Sequence, residues 1–210
     1  MSINFDELNK INFKLTQNIK SDLLIVTKNR SVSDIKELIS LGYLNFGENR
    51  VQEAISKFDT IINNNLALHL IGPLQTNKVK DALKIFDVIQ SLDRYRLVDE
   101  IVKYKTKNDH TKTNKFYIQV NIGDEEQKSG VSVEELNNFY NYCLSQKLNI
   151  VGLMCIPPAN KDPVIFFKNM LSLKKTLNEK LELSMGMSND YEKAIECGSN
   201  LVRIGSKIFT

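Results

Sequence analysis

Three observations predict that this chain folds as a single α/β domain, a TIM-type (β/α)8 barrel. Short apolar runs of strand-forming residues alternate with helical patterns along residues 1–210, and no series of consecutive strands interrupts them. Such alternation is typical of a parallel sheet. Eight such runs occur within 210 residues, which is near the short end for a closed eight-stranded barrel. An open, doubly wound sheet is the alternative that these patterns leave.

The predicted strands are short and mostly apolar, as expected of strands that are buried on both faces. The first, Leu23-Leu24-Ile25-Val26-Thr27-Lys28, ends abruptly in a lysine that turn residues follow. From apolar runs and the turn residues that bound them, we predict strands over 23–28, 43–46, 67–71, 87–91, 115–121, 150–154, 183–185 and 201–204.

The predicted helices carry apolar residues at helical spacing. A leading helix is expected over 2–19, and Gly42 is suited to end the second helix. Ser132 and Glu135 have the spacing of a capping box at the start of the sixth. The helices after the leading one are predicted over 31–41, 48–59, 76–85, 97–102, 133–144, 163–181 and 189–197.

Composition and charge exclude several classes of function. Hydrophobic residues make up 42% of the chain, which is enough for one sizeable core. The net charge of +3 is spread along the chain without a basic block, so we expect no nucleic-acid partner. Three scattered cysteines favour a reducing compartment. Without a signal peptide or a long apolar stretch, the expected location is cytoplasmic, with no membrane partner.

Candidate functional residues follow the predicted strands, whose carboxyl ends meet at one mouth in a barrel. Lys28 follows the first strand, and a partly desolvated lysine there has a lowered pKa and attacks carbonyl groups. Asn49 follows the second strand, and His69 lies within the third. His69 is as compatible with a hydrogen-bonded core histidine as with a ligand-binding one. The two histidines are far apart in sequence and no carboxylate cluster accompanies them, so no metal site is predicted.

Two glycine-containing turns follow the last two strands. They are Gly186-Met187-Ser188, which precedes a helix, and Arg203-Ile204-Gly205-Ser206. Main-chain N–H groups and serine hydroxyls bind phosphate well, and barrels frequently hold phosphate after strands seven and eight. A lysine nucleophile opposite a phosphate site indicates a phosphorylated aldehyde, and pyridoxal 5′-phosphate (PLP) has the required Schiff-base and phosphate ends. Arg203 is the candidate partner of the pyridine nitrogen, to which it donates without giving up its own proton.

The chain resembles the PLP-binding homeostasis protein family, which is related to the N-terminal barrel of alanine racemase (PLP fold type III). The resemblance covers nearly the whole chain in family order. It rests on Ile25-Val26-Thr27-Lys28, Phe46-Gly47-Glu48-Asn49-Arg50-Val51-Gln52-Glu53, His69-Leu70-Ile71-Gly72-Pro73-Leu74-Gln75-Thr76-Asn77-Lys78, Lys128-Ser129-Gly130, Gly152-Leu153-Met154, Leu183-Ser184-Met185-Gly186-Met187-Ser188 with Asp190, Val202-Arg203-Ile204-Gly205-Ser206 and Ile208-Phe209.

This resemblance implies a role for each matching residue. Lys28 holds PLP as a Schiff base, and Arg203 contacts the pyridine nitrogen. Asn49 and His69 match positions that line the cofactor. Apart from the resemblance, Met187 is expected from its residue type to line the cofactor site without taking part in chemistry. The phosphate is bound by Ser188 and by the main chain of Gly205 and Ser206.

Two functions compete at this point. The resemblance implies a PLP protein of vitamin B6 and amino-acid homeostasis that is not an enzyme. Its expected partners are PLP, amino acids and, transiently, apo forms of PLP enzymes, and we expect a monomer. The alternative is a PLP enzyme such as an amino-acid racemase or lyase. Alanine racemase has a second acid/base tyrosine and an added β-domain, which we do not expect in a chain that ends with its eighth strand. A metabolite sensor that acts by protein contact is a third class.

Overall fold

The computed structural model describes residues 3–17, 21–61, 65–108 and 110–209. Eight strands form a closed barrel in which each strand is parallel to its neighbours, and the eighth pairs with the first. The predicted (β/α)8 barrel is therefore confirmed, and the open sheet is excluded. In the register of β1 and β8, Leu24 lies beside Arg203 and Ile25 beside Ile204.

The elements alternate strictly between strand and helix after a leading helix. The strands are β1 Asp22–Val26, β2 Asn45–Glu48, β3 Ala67–Leu70, β4 Val88–Leu92, β5 Lys115–Val120, β6 Ile150–Cys155, β7 Glu182–Met187 and β8 Leu201–Ile204. The helices are α1 Phe5–Thr16, α2 Val32–Ser40, α3 Val51–Phe58, α4 Val79–Ile85 after a short 3-10 turn at Thr76–Lys78, α5 Tyr95–Lys105, α6 Leu136–Ser145, α7 Pro163–Leu177 and α8 Tyr191–Glu196.

The second strand was predicted too early in the chain. The prediction was 43–46, whereas β2 spans Asn45–Glu48. The amide of Tyr43 donates to the carbonyl of Leu38 (3.1 Å), so this residue closes the end of α2. Because Glu48 belongs to β2, α3 begins only at Val51 and not at residue 48. Tertiary pairing of β2 with β1 and β3 decides this boundary, and local propensity does not.

Other boundaries also differ from the prediction, among them the following three. The first strand ends at Val26, so Lys28 lies in the turn that follows it. The leading helix was predicted over 2–19 but spans Phe5–Thr16, and residues 2, 18 and 19 lie outside the described residues. Helix α6 begins at Leu136, although Ser132 Oγ accepts a hydrogen bond from the amide of Glu135 (3.3 Å). The Glu135 carboxylate accepts from the hydroxyl of Tyr95 instead of completing the capping box.

The apolar core lies between the strands and the surrounding helices. Its largest fully buried side chains are aromatic, namely Phe46, Phe86, Phe116, Phe139 and Phe167. The interior of the barrel also contains buried polar side chains, whereas branched aliphatic residues usually fill such interiors. No helix of the described ranges has the length and apolar character that crossing a membrane requires.

Candidate functional site

A cavity of about 1000 Å³ opens at the carboxyl ends of the strands. Its position follows from the parallel barrel, which directs all loops after the strands to one face. The cavity brings together residues that are up to 180 positions apart, from Val26 to Ser206. Seven of the eight residues predicted to bind the cofactor line it: Lys28, Asn49, Met187, Ser188, Arg203, Gly205 and Ser206.

Lys28 is exposed, at the edge of the cavity. The surrounding protein therefore does not desolvate this side chain. The turn that carries it is tight, because the amide of Arg30 donates to the carbonyl of Thr27 (3.0 Å) and Asn29 has a left-handed φ of 60°. This turn directs the side chain of Lys28 to the cavity and not into the barrel wall.

Two charged side chains, buried Lys57 and half-buried Glu53, fix the main chain on both sides of Lys28. Nζ of Lys57 donates to the carbonyl of Thr27 (2.7 Å) and also to the carboxylate of Glu53 (2.6 Å). The same Glu53 oxygen accepts from the amide of Asn29 (2.5 Å). Residues 27 and 29 are thus both held from α3, and Lys28 is presented by a rigid turn.

Glu48 completes this cluster from the end of β2. It is fully buried, and its Oε1 accepts from Thr27 Oγ1 (2.7 Å) and Lys57 Nζ (2.9 Å). Burial raises the pKa of Glu48, although both hydrogen bonds oppose this shift. Burial also raises the pKa of Glu53, but the hydrogen bonds from Lys57 and Asn29 outweigh it and lower the pKa overall. Glu48 and Glu53 therefore have a structural role, since both hold the turn of Lys28 in place.

Arg203 lies on the wall of the cavity formed by β8. Its side chain is 4% exposed, and its Nη2 donates to the carbonyl of Cys155 (2.8 Å). Nη1 donates to the carbonyl of Ser184 (2.7 Å) and to its Oγ (2.9 Å). Burial lowers the pKa of Arg203, and no carboxylate of the described residues forms a salt bridge with it. A buried guanidinium of this kind favours a ligand atom that accepts a hydrogen bond.

The loops after β7 and β8 supply free hydrogen-bond donors. Within the described ranges, no protein acceptor is found for the main-chain N–H groups of Ser188, Asn189 and Ser206. Asp190 shapes the first loop, since its carboxylate accepts from the amide of Met187 (2.6 Å). Three N–H groups and two serine hydroxyls on one wall form a site for an anionic group. We call the residues Ser188, Asn189, Gly205 and Ser206 the phosphate wall.

The charge of the cavity favours the same kind of ligand. Asp190 is its one acidic residue among those described. Two of its lysines are engaged, Lys128 with Glu125 and Lys193 with Asp162. The cationic residues of the wall are Lys28, Arg30, Lys128, Lys161, Lys193 and Arg203.

His69 is the one predicted residue that does not line this cavity. It lies on a second cavity of about 460 Å³ at the amino ends of the strands. Its Nδ1 is 2.8 Å from Nε2 of Gln90. Burial, together with Lys115, lowers the pKa of His69 to about 3, so the imidazole is neutral. Cys155 is similarly inert, because burial raises the pKa of its thiol to about 12.

The sequence analysis did not identify every residue that lines the cavity. Arg30, Lys161 and Asn189 line the cavity, as does the turn Pro157-Pro158 after β6. Each follows a strand, so position after a strand was the available signal. Nothing in the spacing distinguishes these residues from other loop residues. In the described ranges, no group of three or more histidine, cysteine or acidic side chains is arranged to hold a metal ion.

Gly72 holds the Asn49 part of the wall in place. A Cβ atom on Gly72 would lie 2.2 Å from the main-chain oxygen of Asn49, far inside any allowed contact. We expect Gly72→Ala to displace Asn49, to destabilise the fold by about 1–3 kcal/mol and to weaken ligand binding. Gly42→Ala is a useful comparison, because its φ of +90° adds strain while no atom lies within 4 Å of the new Cβ. Thermal unfolding and ligand titration of both variants test this, and unchanged binding by Gly72→Ala would contradict it.

Comparison with known proteins decides the family. No family model matches the chain. A pyridoxal phosphate homeostasis protein of Aquifex aeolicus is 40% identical over 184 residues, covering 83% of this chain and 80% of that protein. The chain belongs to the pyridoxal phosphate homeostasis protein family. A member of this family from Pasteurella multocida is 38% identical over 205 residues, with 89% and 84% of the two chains covered.

Solved structures agree with membership of the pyridoxal phosphate homeostasis protein family. PipY of Synechococcus elongatus, solved with PLP bound, has a TM-score of 0.84 at 29% identity and covers 98% of this chain and 99% of its own. Alanine racemase of Acinetobacter baumannii has a TM-score of 0.75 at 17% identity. It covers 99% of this chain and 62% of its own, and this likeness concerns the fold alone. The expected likeness to the fold of the alanine racemase barrel is therefore confirmed.

Proposed function

We propose that this chain binds PLP in the cavity at the carboxyl ends of the strands and serves PLP homeostasis without enzymatic turnover. The observation that carries the proposal is the meeting of three groups in one cavity: exposed Lys28, buried Arg203 and the phosphate wall. In a phosphorylated aldehyde with an aromatic nitrogen, the aldehyde pairs with Lys28, the nitrogen with Arg203 and the phosphate with the phosphate wall. Relatives at 38–40% identity are named for this function, and PipY is a structural neighbour with PLP bound.

Each group has a definite task in this proposal. Nζ of Lys28 attacks the aldehyde carbon, the C=N bond replaces C=O, and the oxygen leaves as water. The phosphate wall donates N–H and O–H groups to the phosphate. Arg203 donates a hydrogen bond to the pyridine nitrogen, which leaves that nitrogen without a proton. When bound, PLP supplies an electrophilic carbon and an electron-accepting ring. Arg203 weakens the ability of that ring to accept electrons.

The absence of turnover is proposed from the residues of the cavity. A racemase or lyase needs an acid/base group near the substrate α-carbon in addition to the lysine, and such help is typically worth about 10²–10⁴-fold in rate. No tyrosine, histidine or cysteine is among the described residues of the wall, and Asp190 is bonded to the main chain of its own loop. The cavity is also open to solvent, whereas catalysis on a reactive intermediate usually requires that water be excluded.

The same open cavity supports our proposal about partners. Amino acids reach the covalently bound cofactor, and PLP is released to apo forms of PLP enzymes. Since every group named above comes from one chain, the site needs no second copy, and we propose that the protein acts as a monomer in the cytoplasm.

A paired experiment tests carrier against enzyme. The protein loaded with PLP is incubated in deuterated water with a panel of amino acids, and α-proton exchange is followed by NMR. In parallel, loaded protein is mixed with an apo form of a PLP enzyme, and recovered activity reports transfer. We expect transfer and no exchange at an enzymatic rate. Rapid exchange that requires Lys28, without transfer, would establish the enzyme instead.

A further inference from the structure

A chain of hydrogen bonds crosses the centre of the barrel from one cavity to the other. Nη1 of Arg203 donates to Oγ of Ser184 (2.9 Å), and Oγ of Ser184 lies 2.6 Å from Oε1 of Gln90. Nε2 of Gln90 is 2.8 Å from Nδ1 of His69. Ser184 and Gln90 are fully buried, and Arg203 and His69 are 4% and 7% exposed. These hydrogen bonds link β8, β7, β4 and β3, so they span the barrel interior.

The donors and acceptors available decide which atom donates in each of these hydrogen bonds. Arg203 has donors only, so the Ser184 oxygen accepts from it. Apart from Arg203, the only partner of the Ser184 hydroxyl in the described ranges is Gln90. The hydroxyl proton therefore goes to the Gln90 carbonyl oxygen, and the Gln90 amide nitrogen faces His69. His69 must then accept at Nδ1 and carry its proton on Nε2, which agrees with a neutral imidazole.

We propose that His69 is a positioning residue for Arg203 and acts through Gln90 and Ser184. This inference rests on the proposed role of Arg203 at the pyridine nitrogen. The acceptor at Nδ1 fixes the orientation of the Gln90 amide, and that amide fixes the rotation of the Ser184 hydroxyl. The Ser184 lone pair then points at Nη1 and holds the guanidinium plane. His69 thus affects the cofactor site although it lies on the opposite cavity.

Loss of the acceptor at residue 69 would disturb the orientations of the Gln90 amide and the Ser184 hydroxyl. A Gln90 amide without a partner turns over or leaves a buried donor unsatisfied, which is costly in an interior of low dielectric constant. If the amide turns, its NH₂ group faces Ser184, and the hydroxyl loses its acceptor. Arg203 keeps the carbonyls of Ser184 and Cys155 but loses one of the contacts that define its plane.

Two substitutions at residue 69 separate positioning from packing. In His69→Asn, Oδ1 takes the place of Nδ1 as the acceptor, whereas His69→Leu removes it. We expect His69→Leu to weaken PLP binding about 5-fold to 10-fold, the effect of one misplaced hydrogen bond, and to shift the visible absorption band of bound PLP. His69→Asn should retain the wild-type band and bind within about twofold of wild type. Ser184→Ala should reproduce the shift of His69→Leu.

A second measurement needs no cofactor. In ¹⁵N NMR spectra of the PLP-free protein, we expect His69 to have an unprotonated Nδ1 and a protonated Nε2. The opposite tautomer would overturn the proposed donor-to-acceptor order of the hydrogen bonds from Arg203 to His69. If His69→Leu fails to fold, Ser184→Ala and His69→Asn supply the band comparison. A folded His69→Leu or Ser184→Ala variant with the wild-type band and affinity would overturn the positioning role. If wild-type protein binds no PLP, the proposed function fails, while the tautomer remains measurable.

Discussion

Replacing Lys28 with arginine abolishes covalent attachment of PLP in our expectation. Arginine keeps the positive charge of the side chain but forms no stable C=N bond with the aldehyde, because its guanidinium stays protonated. Wild-type protein treated with PLP and borohydride should carry the reduced adduct on the peptide that contains Lys28. Lys28→Arg should carry none, as judged by mass spectrometry, and should lack the visible band of covalently bound PLP.

A matched control is Lys161→Arg, because Lys161 is also an exposed lysine of the same cavity. This variant should be labelled at Lys28 as fully as the wild type. The rigid turn explains the selectivity, since Thr27 and Asn29 are fixed by Lys57 and Glu53. An adduct on another lysine, or one that survives in Lys28→Arg, would show that Lys28 is not the attachment residue.

Removal of the phosphate from the ligand is expected to have the second large effect. The phosphate wall offers three free main-chain N–H groups and the hydroxyls of Ser188 and Ser206. A hydrogen bond to a charged group is worth about 1.5–3 kcal/mol, so losing even two of them lowers affinity by about 100-fold or more. Pyridoxal should therefore bind at least about 100-fold more weakly than PLP, as measured by titration of the visible band.

Ser188→Ala tests whether the phosphate wall causes this difference. The substitution removes the hydroxyl of Ser188 but leaves its main-chain N–H. We expect PLP to bind about tenfold more weakly and pyridoxal to bind as it does to wild type. An equal loss for both ligands would indicate a disturbed cavity, and equal wild-type affinities for PLP and pyridoxal would place the phosphate elsewhere.

The fold was predictable because its determinants are local and repeated. Each strand is a short apolar run, each helix has apolar residues at helical spacing, and their alternation predicts parallel strands. Boundaries were less predictable where pairing overrides local propensity, as at Glu48, which belongs to β2 and not to α3. Similarly, the strand ends at Val26, and the turn at Asn29 then carries Lys28.

The cofactor site was largely predictable for a topological reason. In a closed parallel barrel every strand ends at the same face, so residues that follow strands meet without any knowledge of distances. Lys28, Asn49, Ser188 and Arg203 were located in this way, and all of them line the cavity. Their predicted roles as PLP contacts remain predictions.

Side-chain relations in the barrel interior depend on the tertiary structure. The sequence by itself determined the barrel, its mouth and most residues of the site. It could not decide whether His69 faces the mouth, because motif position does not say at which level of the barrel a side chain lies. Closure of the barrel decided that, by bringing Gln90 from β4 and Ser184 from β7 into contact. Likewise, only packing of α3 against the end of β1 joins Lys57 to Thr27 and makes the turn of Lys28 rigid.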